Sequence, residues 1–284
     1  MRTGEASGFQ IAFFIYAAWL LVVPFSMLLG RWMQLSTAEQ AIFGRYVAVV
    51  AAGAGLLLIG PIRRTCARTL RHPWKAANAE VATLSMVMVV EAFAWVGAYV
   101  LWWHVTEGSA GVEGRMATIG THEQAMAKAL DPVPALAYLI VGVVVAPFVE
   151  ELIFRRFLFE AWSRRFGWFT SMILSSLVFA SLHESFFPAF TSSLLFTCIY
   201  RRTASIRSSI FVHAMNNLFI FYPLLGRWIF PRGLDAPGDL QSWTFHLTCL
   251  LAMVVIWPMY IWMSRDGDDE LPIPLEEDHV ALPR

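Results

Sequence analysis

Long apolar runs separated by short polar segments dominate this sequence, and most runs have the length of a membrane-spanning helix. About 20 apolar residues are needed to cross the hydrocarbon core of a bilayer. Runs of this size lie at 8–30, 44–62, 81–103, 134–156, 168–187, 208–226 and 242–263. A shorter run at 189–200 must return the chain across the membrane. The pattern predicts an all-α, polytopic bundle of about eight transmembrane helices.

Basic residues collect after every second predicted helix. Since such residues favour the cytoplasmic side, this distribution predicts that both termini are cytoplasmic. The distribution also requires the short helix at 189–200, because the C-terminal half would otherwise have the opposite orientation. The clusters consist of Arg63, Arg64, Arg68, Arg71 and Lys75, then Arg155, Arg156, Arg164 and Arg165, and finally Arg201, Arg202 and Arg207.

The chain divides by polarity into three parts. Residues 1–133 contain three predicted transmembrane helices and a polar extracytoplasmic loop at 104–133, for which we predict no regular structure. The run at 8–30 is longer than a signal-peptide core and is predicted to be a retained helix. Residues 134–263 form the predicted catalytic core, and the acidic segment 264–284 is predicted to be a disordered tail.

The composition agrees with a membrane protein and excludes several other classes. The chain is 57% apolar and 15% charged, whereas soluble domains carry about a quarter charged residues. Its formal net charge of zero gives no indication of nucleic-acid binding. Cys66, Cys198 and Cys249 are too few and too widely spaced for a disulfide framework or a zinc motif.

Ionisable side chains within the apolar runs are the candidates for function, because charges at membrane depth are costly. Glu151 and Arg155 are four residues apart with the glutamate first, the favourable order for an ion pair on a helix. Glu150 is turned about 100° away from Glu151 and has no equally well placed partner in its own helix. Glu150 is therefore predicted to be the carboxylate that is free to act as a general base.

The spacing of three further polar residues places them near Glu150. His183 follows Glu150 by 33 residues, and the midpoint at 166–167 coincides with a predicted cytoplasmic turn. Each residue is then about 16 positions, or roughly 24 Å of helix, from that turn. His213 and Asn217 are four residues apart on a helix that starts from the same side. We therefore expect a carboxylate, two imidazoles and a carboxamide at one depth.

This set of groups suits two kinds of chemistry. Water activation with oxyanion stabilisation would hydrolyse an amide, and two histidines with a glutamate could also bind zinc. Taken singly, each group has a structural interpretation, such as a buried ion pair or hydrogen bonding between helices. Glu91, in the middle of the run 81–103, belongs to none of these motifs and is predicted to be a paired structural carboxylate. The alternative is a contribution to substrate binding or to tuning His183 or His213.

Three motifs in order carry a resemblance to a known family. They are Glu-Glu-x-x-x-Arg at 150–155, Phe-x-x-x-His at 179–183 and His-x-x-x-Asn at 213–217. Together they resemble the CPBP (ABI) family of intramembrane proteases, which includes the type II CAAX prenyl endopeptidases. Members of this family have been described both as metalloproteases and as glutamic proteases, and the glutamic type is the one we expect here. The resemblance extends over roughly 134–225, about a third of the chain.

The resemblance implies a role for each motif residue. Glu150 would be the catalytic glutamate, and His183 would assist it in activating water. His213 and Asn217 would orient the substrate and stabilise the oxyanion. Glu151, Arg155 and Phe179 would support these groups. No cofactor is expected, because Asn217 is a poor zinc ligand and His-Glu-x-x-His does not occur in the sequence.

The expected function is that of an intramembrane endopeptidase. Its substrate would be a membrane-attached protein or peptide cleaved near the cytoplasmic face, for example in C-terminal processing or removal of a sorting signal. The short chain indicates a bacterial member in the cytoplasmic (inner) membrane. The alternatives are a proton-coupled transporter, which usually shows internal repeats that this sequence lacks, and a non-catalytic membrane scaffold or immunity protein.

Overall fold

A computed structural model describes residues 78–129, 139–183, 185–220 and 243–266, a helical segment at 47–54, and residues 22, 24, 25, 28, 31, 44, 67 and 136. All secondary structure in these residues is helical, which confirms the all-α prediction. Most of the predicted first and second helices and the tail beyond 266 fall outside the described residues. The number of eight helices, the sidedness of the termini and the three-part division stay predictions.

Six helical elements make up the described core. Two stretches, Glu80–Val112 and Thr244–Met263, are long and apolar enough to cross a membrane. The second element is one continuous helix whose winding changes along its length. The elements are α1 (Asn78–Ala129), α2 (Val141–Val145, Ala146–Glu151, Leu152–Phe159 and Glu160–Phe166), α3 (Trp168–Ser181), α4 (Phe186–Thr203), α5 (Ile206–Ile220) and α6 (Trp243–Met263), the last followed by a 3-10 turn, Ser264–Asp266.

Helix α1 extends well beyond the predicted span of 81–103. It is interrupted at Gly108, whose φ of 72° and ψ of −174° are accessible to a residue without a Cβ. Helical structure then continues to Ala129. This part contains five alanines, at 110, 117, 125, 127 and 129, and alanine is the residue that most favours helix. The prediction of no regular structure over 104–133 is therefore wrong as far as Ala129.

The turn predicted at 166–167 is confirmed. Helix α2 ends at Phe166, and Gly167 adopts φ 77° and ψ 162°. Its amide donates to the carbonyl of Ser163 at 3.1 Å, which closes the last turn of the helix. Because α3 begins directly at Trp168, α2 and α3 form a helical hairpin.

Helix α3 is shorter than the sequence pattern predicts. It has 14 residues, or about 21 Å at 1.5 Å per residue, whereas the hydrocarbon core is about 30 Å thick. The predicted span of 168–187 is wrong, because the helix ends at Ser181 and a turn leads into α4 at Phe186. His183 lies in this turn.

Four helix ends meet at one end of the bundle through two arginines. Arg201 packs over the ring of Trp168 at 4.7 Å and donates from Nε to the Ser264 carbonyl at 2.8 Å. Arg202 pairs with Glu80 near the start of α1. Cations beside the C-terminal carbonyls of a helix are favourable. The start of α1, the α2–α3 turn and the ends of α4 and α6 thus lie together, as the alternating topology requires.

Two close approaches fix the helices around the centre of the bundle. A Cβ at Gly97 would lie 2.3 Å from the backbone oxygen of His246, so only glycine allows α1 and α6 to cross so closely. A Cβ at Gly53 would lie 2.8 Å from Cγ2 of Val149. The helical segment 47–54 therefore packs on α2 immediately before its two adjacent glutamates.

Candidate active site

The two adjacent glutamates lie where the winding of α2 changes. Glu150 and Glu151 end the α-helical section Ala146–Glu151, which is flanked by π-helical sections on both sides. Such wider turns are frequent at functional sites. Gly142, in the first π-helical section, accepts a hydrogen bond from Nδ2 of Asn217 at 2.8 Å. This bond ties α5 to α2 beside the glutamates.

Glu151 is fully buried and uses both of its carboxylate oxygens. Arg155 Nε lies 3.1 Å from Oε2, which confirms the predicted pair. The hydroxyl of Ser209 also donates to Oε2. The other oxygen, Oε1, lies 2.8 Å from Nδ1 of His213. Glu151 therefore connects α2 to α5 as well as holding its own arginine.

Arg155 is fixed from three directions. Its Nη2 donates to the Ser193 hydroxyl at 3.0 Å and to the Ser193 carbonyl at 3.1 Å. The guanidinium carbon lies 5.1 Å from the ring centre of Phe179 and 5.4 Å from that of Phe196. Cation–π contacts of this length are attractive, and more so away from water. The arginine cannot turn towards Glu150 without breaking these contacts.

Glu150 differs from its neighbour in contacts and exposure. Its side chain is 16% exposed, against 0% for Glu151. Oε2 lies 3.6 Å from Nε2 of His213 and 4.0 Å from Nε2 of His183. Both distances are too long for a direct hydrogen bond. They are short enough for one water molecule to bond to the carboxylate and to either ring at ordinary distances.

Aromatic rings hold the two imidazoles in place. Phe179 stacks on His183 with ring centres 4.3 Å apart, and its edge contacts His213 at 5.8 Å. Phe196 stacks on the ring of His213 at 4.3 Å. The Nδ1 atom of His183 lies 2.7 Å from the Phe179 carbonyl. Because a carbonyl can only accept, Nδ1 carries the proton and Nε2 faces Glu150.

The structure brings most of the predicted residues into one site. The Glu150 carboxylate lies within 4.0 Å of both His183 and His213. Glu151, Arg155 and Phe179 surround them. Asn217 shares the α5 face with His213, and its side-chain amide donates to the Gly142 carbonyl. The chemical roles of these residues stay predictions.

Three contacting residues were missed by the sequence analysis. Ser209 lies four residues before His213 on α5, so the helical period already places the two on one face. Ser193 and Phe196 lie on α4, whose apolar run carries no motif. Their contacts with Arg155 and His213 depend on the packing of α4 against α2 and α5, and the sequence has no local signal for that.

Glu91 occupies a separate buried position between α1 and α4. Its Oε2 accepts a hydrogen bond from the Ser192 hydroxyl at 3.1 Å, and the side chain is 1% exposed. In the part of the chain that the structure describes, no cation pairs with it. Its partner is therefore a hydroxyl rather than the charged group that an ion pair would require.

A protein metal site needs several donor side chains close together. Among the described residues, no group of three histidine, cysteine, aspartate or glutamate side chains is arranged to hold a metal ion. The expectation that the protein needs no cofactor stays a prediction.

The contacts described above define a site on apolar helices in which one partly exposed glutamate, Glu150, lies between the imidazoles of His183 and His213. Residues 132–219 match the family model described as "Type II CAAX prenyl endopeptidase Rce1-like". The match includes all three motifs, so the predicted resemblance is confirmed over just under a third of the chain. With the apolar composition and the two long apolar helices, this match indicates an integral membrane protein.

Two curated bacterial proteins are similar to the chain. "Putative membrane peptidase YdiL" of Bacillus subtilis (strain 168) is 30% identical over 120 residues, 40% of this chain and 49% of that protein. "UPF0177 protein YbdI" of Lactococcus lactis subsp. lactis (strain IL1403) is 32% identical over 88 residues, 31% of this chain and 49% of that protein. The chain thus spans about half the length of both relatives. No solved structure matches the chain.

Proposed function

We propose that the protein is an intramembrane endopeptidase that hydrolyses a peptide bond in a membrane-attached protein or peptide. The observation that carries this proposal is the contrast between the two glutamates. Glu151 is engaged by Arg155, Ser209 and His213, whereas Glu150 is partly exposed and faces two Nε2 atoms at 3.6 and 4.0 Å. A carboxylate so placed can take a proton from water and return it.

In the proposed reaction, Glu150 removes a proton from a water molecule that His183 also contacts. The oxygen of this water attacks the carbonyl carbon of the peptide bond. Glu150 then transfers the proton to the leaving amine as the bond breaks. A positioned general acid–base contributes about 10²–10⁴-fold to the rate.

His213 and Asn217 are proposed to stabilise the negative charge that develops on the carbonyl oxygen. His213 would donate from Nε2 in its protonated form, and Asn217 would donate from its amide group. A single donor of this kind is worth about 10²–10³-fold in related hydrolyses. The rigid surroundings of His213, with Phe196 stacked on one side and Glu151 at Nδ1, support this role.

The position of the site supports a substrate that reaches it from the membrane or the cytoplasm. The site lies along the α2–α3 hairpin at a depth within the bilayer, and the arginine-rich hairpin end is proposed to face the cytoplasm. C-terminal processing and removal of a sorting signal fit such an approach. We place the protein, with about eight helices and both termini cytoplasmic, in the cytoplasmic (inner) membrane of a bacterium.

The proposal is tested by comparing protein termini and membrane-protein sizes in cells that carry the native protein or Glu150→Gln at matched levels. Glutamine has nearly the same shape but cannot accept the proton. Glu107→Gln is the matched control, because Glu107 is 38% exposed and pairs with Arg115 at 3.0 Å. A terminus that forms with the native protein and Glu107→Gln, but not with Glu150→Gln, would identify the substrate.

The opposite result has a clear meaning. If Glu150→Gln folds, reaches the same level and yields the same termini as the native protein, the proposed proteolysis is wrong. A membrane scaffold would then be favoured. Loss of ion-coupled uptake in Glu150→Gln without any change in termini would instead favour a transporter.

A further inference from the structure

We infer that Ser209 is a positioning residue of this site. Its hydroxyl fixes Glu151, and Glu151 in turn fixes the His213 ring with Nδ1–H towards Glu151 and Nε2 towards Glu150. Ser209 lies outside the three motifs that carry the family resemblance. The inference deepens the proposed function and rests on it for the catalytic consequence, but the arrangement of the ring can be tested without any cleavage.

The first step is the charge and orientation of Glu151. The guanidinium of Arg155 lies 3.1 Å from Oε2, and the Ser209 hydroxyl donates to the same oxygen. The positive charge of this guanidinium and the hydrogen bond from Ser209 both favour the ionised carboxylate. They also prevent the carboxylate from rotating, so the remaining oxygen, Oε1, points at His213.

The second step is the proton on His213. Its Nδ1 lies 2.8 Å from Oε1 of Glu151, and an ionised carboxylate can only accept a hydrogen bond. Nδ1 must therefore carry a proton. The ring then presents Nε2 to Glu150 at 3.6 Å, either as a lone pair or, when the ring is protonated, as a donor to the oxyanion.

The Ser209 hydroxyl has a second acceptor within hydrogen-bond distance, so it has a competing structural role. The hydroxyl oxygen also lies 3.0 Å from the carbonyl of Phe196, and its single hydrogen serves one acceptor at a time. The carboxylate is the stronger acceptor because it is charged. If the hydroxyl served only Phe196, losing it would weaken the contact between α4 and α5 and leave the His213 tautomer unchanged.

The chain offers a matched control in the preceding residue. Ser208 is as fully buried as Ser209, and its hydroxyl finds no hydrogen-bond partner in the described part of the chain. The two side chains point about 100° apart around α5. Ser208→Ala thus removes a buried hydroxyl from the same helix without touching Glu151.

The experiment is nitrogen NMR of ¹⁵N-histidine-labelled full-length protein in detergent micelles, with the His213 signals assigned by their loss in His213→Gln. Spectra are recorded at a pH where the ring is neutral. The native protein and Ser208→Ala should show a proton on Nδ1 of His213. Ser209→Ala should show a mixture of the two tautomers. Ser209→Cys, which keeps the shape but is a weaker donor, should lie between them and covers the case that Ser209→Ala does not fold.

Each other result overturns the inference. A native His213 that carries its proton on Nε2 contradicts the second step. Signals that are unchanged in Ser209→Ala, or changed equally in Ser208→Ala, contradict the role of the Ser209 hydroxyl. With the substrate in hand, Ser209→Ala should lower kcat about tenfold, the effect of one hydrogen bond to a charged group, at unchanged KM.

The two proposals fail separately. Normal cleavage by Glu150→Gln would refute the proposed role of Glu150 in proteolysis, and it would not affect the conclusion drawn from the NMR spectra. If the His213 signals are unchanged in Ser209→Ala while Glu150→Gln does not cleave, only the proposed role of Ser209 is refuted.

Discussion

Two buried ion pairs follow one another along α2, and they are alike in almost every local respect. Glu151–Arg155 and Arg156–Glu160 are both spaced four residues apart, with distances of 3.1 and 2.5 Å. Their side chains are between 0 and 1% exposed. They differ in their surroundings. Glu151 also contacts His213 in the candidate site, whereas Glu160 accepts its second bond from the Tyr200 hydroxyl.

The comparison shows that burial of charge does not by itself identify a functional site. The second pair is closed by the Tyr200 hydroxyl on α4. The first pair is linked through His213 to Glu150, which is 16% exposed. The pair that touches a histidine should therefore affect both stability and reaction, and the pair that touches a tyrosine should affect stability alone.

The largest combined effect is expected for Arg155→Ala. Removing the arginine leaves Glu151 charged and buried, which typically costs about 3–5 kcal/mol. It also frees the carboxylate that orients His213, so cleavage per folded molecule should be lost as well. Thermal unfolding in detergent and cleavage of the identified substrate measure the two effects. A stable variant with native activity would refute this account of the pair.

Arg156→Ala should lower the stability of the protein without lowering its cleavage activity. It also leaves a buried carboxylate without its arginine, so a loss of about 3–5 kcal/mol is again expected. Cleavage per folded molecule should nevertheless stay at the native value, because Arg156 is paired with Glu160, whose other partner is the Tyr200 hydroxyl. Loss of activity in the folded fraction would show that the two pairs act as one network.

Tyr200→Phe should have a smaller effect on stability. It removes only the hydroxyl that donates to Glu160, and leaving one buried acceptor less satisfied costs about 1–3 kcal/mol. Activity should not change. Tyr99→Phe is the control, because Tyr99 is 38% exposed, and its removal should shift the unfolding midpoint hardly at all. Equal shifts in both variants would mean that the bond to Glu160 contributes nothing.

The smallest effect is expected for Phe179→Leu. The variant keeps an apolar side chain but removes the ring stacked on His183 at 4.3 Å. Ring contacts of this kind are worth about 0.5–1.5 kcal/mol, so cleavage should fall about two- to tenfold if the stacking orients the imidazole. Phe211→Leu, at a side chain that is 44% exposed on α5, should leave the rate unchanged. The same loss in both variants would count against the role of the stack.

The parts of the site that sequence analysis predicted are those governed by local rules. The Glu151–Arg155 pair follows from a spacing of four within one helix, and the turn at Gly167 follows from its place beside Arg164 and Arg165, between two apolar runs. The meeting of His183 with Glu150 required only that both helices run back from that turn. These relations depend on helical geometry and on little else.

The parts that were missed depend on packing between distant segments. Ser193, on α4, contacts Arg155, which lies 38 residues earlier in the chain. The local sequence of α4 has no feature that predicts this contact. The early end of α3 was missed because apolar residues resume at Phe186 and Phe187, directly after the short polar stretch that follows the helix. The helix beyond Gly108 was missed because its residues favour helix without forming an apolar face.

The most direct test compares Glu150→Gln with Glu151→Gln in purified protein, measuring both thermal stability and cleavage per folded molecule. The account predicts that Glu150→Gln unfolds at the native temperature and does not cleave. It predicts that Glu151→Gln unfolds at a lower temperature, because Arg155 loses its buried partner. A Glu151→Gln variant that is fully stable but inactive, beside a Glu150→Gln variant that still cleaves, would contradict the assignment of the two carboxylates.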